Sequence, residues 1–145
     1  MIGDSVMKIA LISCSKSKLN MECKARILYS PSILFTKARN HVESSFSIYY
    51  ILSAKHGLLD PDKIIKPYDK SLFNLTNKER KDWANLVCKE IIEKHPNLKY
   101  VDIYAGKLYR VHLIKLLEKH GIKCNVPLQG LGIGQQLNFY KTEGF

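Results

Sequence analysis

The sequence predicts a single α/β domain of three layers, with a mainly parallel, about four-stranded sheet flanked by helices. Three observations carry this expectation. Short apolar segments run continuously instead of alternating with polar residues, as strands covered on both faces do. Segments with helical spacing and recognisable caps lie between them. Finally, no repeat, low-complexity tract or Pro/Gly/Ser-rich linker divides the chain, so residues 1–145 read as one domain.

The predicted strands are residues 8–13, 48–52, 100–104 and 122–126. In YSPSILFTKARNHVESSF, Ser30 is the expected helix N-cap, with Pro31 at the first helical position, where its missing N–H costs nothing. LTNKERKDWANLVCKEIIEKHPN carries a capping box, Thr76 with Glu79 three residues on. Trp83, Leu86, Val87 and Ile91, with the stem of Glu90, are its expected buried face, and Pro96 stops it. KLYRVHLIKLLEKHG closes on His120 and Gly121, a cation near the last turn followed by a C′ glycine. SAKHGLLDPDKIIKPYDKSL, punctuated by Asp60-Pro61 and Lys66-Pro67, reads as a long non-helical connection.

Composition narrows the function classes. The apolar share of 46% and charged share of 25% are those of an ordinary globular protein. No apolar run approaches the length of a membrane span, and the first residues do not resemble a signal peptide, so a cytoplasmic address is expected. Cys14, Cys23, Cys88 and Cys124 form no C-x-x-C pair and are expected as free thiols; no metal and no organic cofactor is expected. The distinctive quantity is a net charge of +10, from 23 Lys plus Arg against 13 Asp plus Glu, which favours a polyanionic partner such as DNA.

Polar, small and basic residues follow each predicted strand. They are SCSKSK (residues 13–18), SAKHG (53–57), AGKLYR (105–110) and PLQGLGIGQQ (127–136). In an open parallel sheet these loops share the carboxyl edge, where ligands bind. Ser13, Cys14 and Ser15 offer hydroxyls, a thiol and backbone N–H groups beside Lys16 and Lys18, a set suited to a phosphate, without the glycines of a P-loop. Gly106, Ser53, Gly132 and Gln135 join this binding set from the other loops. The glycines of GLGIGQQ follow the last strand, so they are not a dinucleotide fingerprint. Lys55 and His56 stand at a strand end, with Tyr68 and Asp69 later in the same connection. His41, His95, His112 and His120 lie on predicted helices, as surface or packing residues.

CSKSK, YSPSILFTKA, LSAKHGLLDPDKIIKPYD and PLQGLGIGQQ together resemble a family of small bacterial, archaeal and phage α/β domains. That family is distantly similar to the peroxide-stress protein YaaA. Leu52, Ser53, Gly57, Leu59, Pro61, Pro67 and Tyr68 match its Leu-Ser-x-x-x-Gly-x-Leu-x-Pro…Pro-Tyr pattern. The first block is also similar to elements in the core of archaeosine synthase. The resemblance implies action on nucleic acid or its bases, and some small relatives look like DNA glycosylases that excise hypermodified bases from phage DNA. On this basis a DNA glycosylase is expected. Asp69 would stabilise a cationic sugar or activate water, His56 and Lys55 would donate to the leaving base, Tyr68 or Tyr29 would stack on it, and Lys16 would hold a flanking phosphate. Two alternatives stay open: a DNA-binding YaaA-like protein without catalysis, and an enzyme that hydrolyses or transfers the base of free nucleotides.

Overall fold

A computed structural model describes residues 8–145. Five strands form the main sheet: β1 (Lys8–Ser13), β3 (Tyr49–Ser53), β4 (Gly57–Leu59), β6 (Tyr100–Tyr104) and β7 (Lys123–Asn125), in the order β4-β3-β1-β6-β7. β1 runs parallel to β3 and β6, and β7 parallel to β6; β4 alone is antiparallel, hairpinned onto β3. A two-stranded ribbon, β2 (Cys23–Lys24) with β5 (Ile64–Ile65), stands apart from that sheet. The helices are α1 (Ala25–Leu28), α2 (Ile33–Ser45), α3 (Asn77–Lys94), α4 (Lys107–Lys119) and α5 (Ile133–Thr142).

The continuous apolar run of β1 has a direct cause. Successive strand residues point to opposite faces, and Ile9, Ala10, Leu11 and Ile12 all have 0% exposure. Ile9 and Leu11 pack with Leu52, Val101 and Ile103 under α3 and α4. Ala10 and Ile12 pack with Tyr49 and Ile51 under α1, α2 and Tyr140 of α5. The sheet is therefore the middle of three layers, as expected.

Details differ from the sequence reading. The N-cap of α2 is Ser32, not Ser30: its Oγ accepts the Phe35 N–H at 3.1 Å, and Pro31 lies ahead of the cap. The Thr76–Glu79 capping box of α3 forms with both bonds present. Its buried stripe is Trp83, Ala84, Val87, Cys88 and Ile91, whereas Leu86 is 54% exposed, one position round from the inward face. The Glu90 carboxylate accepts the Leu58 N–H at 3.3 Å, pairing a donor on the edge strand β4. The connection after β3 is indeed non-helical until Leu72, but it contains β4 and β5, strands too short to carry a periodic signal. PLQGLGIGQQ is only partly a loop, because α5 begins at Ile133.

The ribbon brings distant segments together. The Ala25 N–H donates to the Lys63 carbonyl and the Arg26 N–H to that of Pro61, both at 2.8 Å, which clamps the chain after β1 to the chain after β4. All four cysteines are free thiols. Among the described residues no helix is long and apolar enough to cross a membrane.

The β3–β4 turn ends on Gly57, with φ of +66°. A Cβ there would also stand 2.7 Å from Glu90 Oε1, a flexible group that can move, so the backbone conformation sets the magnitude. Gly57→Ala is expected to lower unfolding stability by about 1–2 kcal/mol. An unchanged denaturation midpoint would contradict this account of the turn.

Candidate functional site

The topology itself makes a crevice. After β1 the chain crosses by α2, on one face, to β3; after β6 it crosses by α4, on the other face, to β7. The loops leaving β1 and β6 therefore part at the carboxyl edge, the usual place for a ligand in such sheets. A cavity of about 500 Å³ lies there, within the range of roughly 300–1,000 Å³ typical of small-molecule sites. Ser13, Cys14 and Ser15 line it from β1, Gly106, Lys107 and Arg110 from the start of α4, and Gln129, Leu131 and Gln136 from the chain around the start of α5.

The loop after β3 does not reach this cavity, which corrects the expectation that all four carboxyl-edge loops share one pocket. The reason is the strand order: β3 lies on the far side of β1 from β6, so its turn is one strand removed from the crevice. Lys55, His56, Tyr68 and Asp69 consequently sit outside the lining, in an adjoining polar cluster.

That cluster is organised by Ser53, which is fully buried at the end of β3. Its Oγ accepts the backbone N–H of His56 at 3.0 Å and shares a hydrogen bond with the Tyr68 hydroxyl at 2.8 Å. Its carbonyl accepts Trp83 Nε1–H at 2.9 Å. The Tyr68 and Tyr29 hydroxyls are 2.6 Å apart, so one chain of bonds links β3, the β5 connection and the segment after α1. Burial raises both phenols above the usual tyrosine range and keeps them neutral. The Lys18 ammonium lies 4.5 Å from the Tyr68 ring centroid and Lys55 5.8 Å, while the His56 ring meets Tyr68 edge-on at 5.4 Å. Burial lowers the Lys18 pKa, opposed in part by the charge of Asp69.

Cys14 joins the two halves. It lines the cavity, its N–H donates to the Leu52 carbonyl at 3.1 Å, and its thiol donates to the Tyr109 hydroxyl at 3.5 Å. Tyr109 in turn packs edge-on against Trp83 at 5.6 Å.

The other expected site residues are placed as follows. Ser13 and Ser15 line the cavity, although the Ser13 Oγ donates to the Cys14 carbonyl and the Ser15 Oγ accepts the Ser17 N–H. Lys16 is exposed and outside the lining; its carbonyl holds Lys18 Nζ at 3.2 Å, and Lys18 is the lysine that turns inward. Tyr29 has 0% exposure and offers no open face, which corrects its assignment as a stacking surface. Gly106 caps α4 and lines the cavity. Gly132 caps α5, and Gln135 is occupied by its own helix, its Oε1 accepting the Gly132 N–H at 3.0 Å. Asp69 is exposed.

Lys18 belongs to the loop read as a phosphate holder, whereas Tyr109, Lys107 and Arg110 are site residues that the sequence reading does not name. Lys107 and Arg110 were visible in AGKLYR, three apart and at the start of a helix. Tyr109 carried no signal beyond helical spacing.

His56 and His41 set a pH dependence. Burial, then the charges of Lys63 and Lys55, lowers the His56 pKa below the ordinary 6.5. Burial likewise lowers that of His41, which is packed against Tyr104, Phe139, Tyr140 and Phe145. A depressed histidine favours the fold fully above its unfolded pKa, near 6.5, and this stabilisation is lost as pH falls through the folded pKa. The melting temperature should therefore fall on acidification below pH about 6.5, with a shallower fall in His56→Gln. An identical pH profile in that variant would contradict a neutral, half-buried His56.

The comparisons with known proteins add one relation. A family model described as "Family of unknown function (DUF6884)" matches residues 9–142, from β1 to the end of α5. No curated protein and no solved structure matches the chain. The match takes in both the crevice and the adjoining cluster, and the chain belongs to the DUF6884 family.

Proposed function

We propose that this protein is a nucleic-acid-directed base-processing enzyme, a DNA glycosylase that hydrolyses the N-glycosidic bond of a modified base. The observation that carries the reading is the junction at Cys14. There, a nucleotide-sized cavity adjoins a cluster with hydrogen-bond donors (Lys18, Lys55, His56) and a carboxylate (Asp69). The net charge of +10 supports a polyanionic substrate, and a base must leave the duplex stack before its glycosidic bond is accessible.

In this reading the extruded base enters the cavity with its glycosidic bond and sugar at the Cys14 junction, so that the bond to be broken, and not the far end of the base, faces the adjoining cluster. The C–N bond breaks with its electron pair passing to the base, and a water oxygen bonds to the anomeric carbon. The proton lost by water goes to Asp69, and the base gains one from Lys55, while the neutral His56 ring donates a hydrogen bond to it. Charge develops with both signs, positive on the sugar and negative on the base, so a carboxylate and a donor on opposite sides both lower the barrier. His56 Nε2 is buried without a hydrogen-bond partner among the described residues, and the neutral ring can present N–H there.

The test is base release from ordinary DNA, modified phage DNA and free nucleotides, measured alongside melting. Asp69→Asn should lower kcat by roughly 10² or more with little change in binding, and His56→Ala should lower turnover non-additively with it. Full activity in a stably folded Asp69→Asn protein would overturn the carboxylate's role. Release from no substrate would overturn the enzyme reading and leave a DNA-binding protein, for which affinity should still fall steeply with salt.

A further inference from the structure

The cavity wall holds charge that the bond-breaking step does not use. Lys107 and Arg110 lie three apart in the first turn of α4, and both line the cavity. Among the described residues no Asp or Glu lines it. The Nε of Arg110 is buried and has no hydrogen-bond partner among those residues. A guanidinium stays charged at any ordinary pH; with its Nε closed off from water, the Arg110 head is held against the wall, and its remaining N–H groups are the ones suited to a phosphate.

The surroundings favour an anion. The N-cap of α4 is Gly106, with no side-chain cap, so the positive end of a 13-residue helix opens on the cavity. A Cβ placed on Gly106 would meet nothing within 4 Å, which leaves room for a group against the backbone. Gln129 lies elsewhere on the lining and adds an amide donor, while Leu34, Leu131 and Ile133 make another part of the wall apolar. Cations beside an apolar wall suit a ligand with a phosphate at one end and a flat ring at the other.

We infer that Lys107, Arg110 and the start of α4 form a phosphate site, which holds the phosphate ester of a nucleotide whose base lies against the apolar wall. The inference rests on the cavity being the nucleotide pocket of the proposed enzyme, but it is measured by binding and requires no bond cleavage. It also moves the phosphate contact from Lys16, which is exposed and outside the lining, to the switch point of the sheet.

Calorimetric titration in a phosphate-free and sulfate-free buffer tests it, using thymidine, thymidine 5′-monophosphate, inorganic phosphate and a short oligothymidylate without terminal phosphates. The monophosphate should bind at least about tenfold tighter than thymidine, and inorganic phosphate should compete with it. Lys107→Gln and Arg110→Gln should each raise its Kd about tenfold, and Arg110→Lys should recover part of the loss. Lys107 is exposed, so its variant should fold normally even if Arg110→Gln does not. An oligonucleotide that binds and is displaced by phosphate supports the site with a polymer as the source. Binding of the monophosphate alone supports it with a free nucleotide as the source. Equal affinity for thymidine and its monophosphate, or unchanged Kd in a folded Lys107→Gln protein, would overturn the site. Phosphate binding without base release on any substrate would keep the site and reject the reaction; base release with unaltered binding in both variants would do the reverse.

Discussion

The burial of β1 on both faces is the constraint on which this molecule depends. Ile9 to Ile12 have no contact with water, so the strand needs a helical layer above and below, and neighbours on both edges. Each buried Ile or Leu side chain contributes roughly 1.5–3 kcal/mol, enough to make the arrangement decisive for a domain of this size. Because the chain supplies the two layers by crossing in opposite directions from β1 and from β6, their loops separate at the carboxyl edge. The crevice is thus a product of core packing, and the residues around it are free to carry chemistry.

A second, polar constraint holds the cluster beside that crevice. Ser53 has a hydroxyl in a place closed to water, and leaving it unpaired would cost about 1–3 kcal/mol. Tyr68, the His56 backbone and, through Tyr68, Tyr29 satisfy it. The network ties two remote segments, those of Tyr68 and Tyr29, to the end of one strand. It thereby fixes the ring of Tyr68, against which Lys18, Lys55 and His56 are placed.

Much of this was legible in the sequence, because strong periodic and capping signals dominate locally. The strand at KIALIS, the Thr76–Glu79 box and the Gly121 stop required only local chemistry. Strand order did not. SAKHG and AGKLYR look equivalent as strand-end loops, yet they lie on opposite sides of β1, and only the second reaches the cavity. Lys16 and Lys18 are likewise indistinguishable by composition, yet Lys18 lies over the Tyr68 ring with its ammonium on the Lys16 carbonyl, while Lys16 is exposed. Tyr29 reads as an accessible aromatic until the ribbon of β2 and β5 closes over its neighbourhood. Gln135 looks like a free amide until α5 uses it to pair its first N–H.

We propose that ligand recognition belongs to the crevice between β1 and β6. Amide chemical-shift mapping during titration with a short single-stranded oligonucleotide tests it most directly, because every backbone position reports at once. The largest shifts are expected at residues 13–15, 106–110 and 128–133, with smaller ones at residues 53–56 through Ser53. Shifts confined to the outer surfaces of α3 and β7, with those segments unmoved, would contradict it.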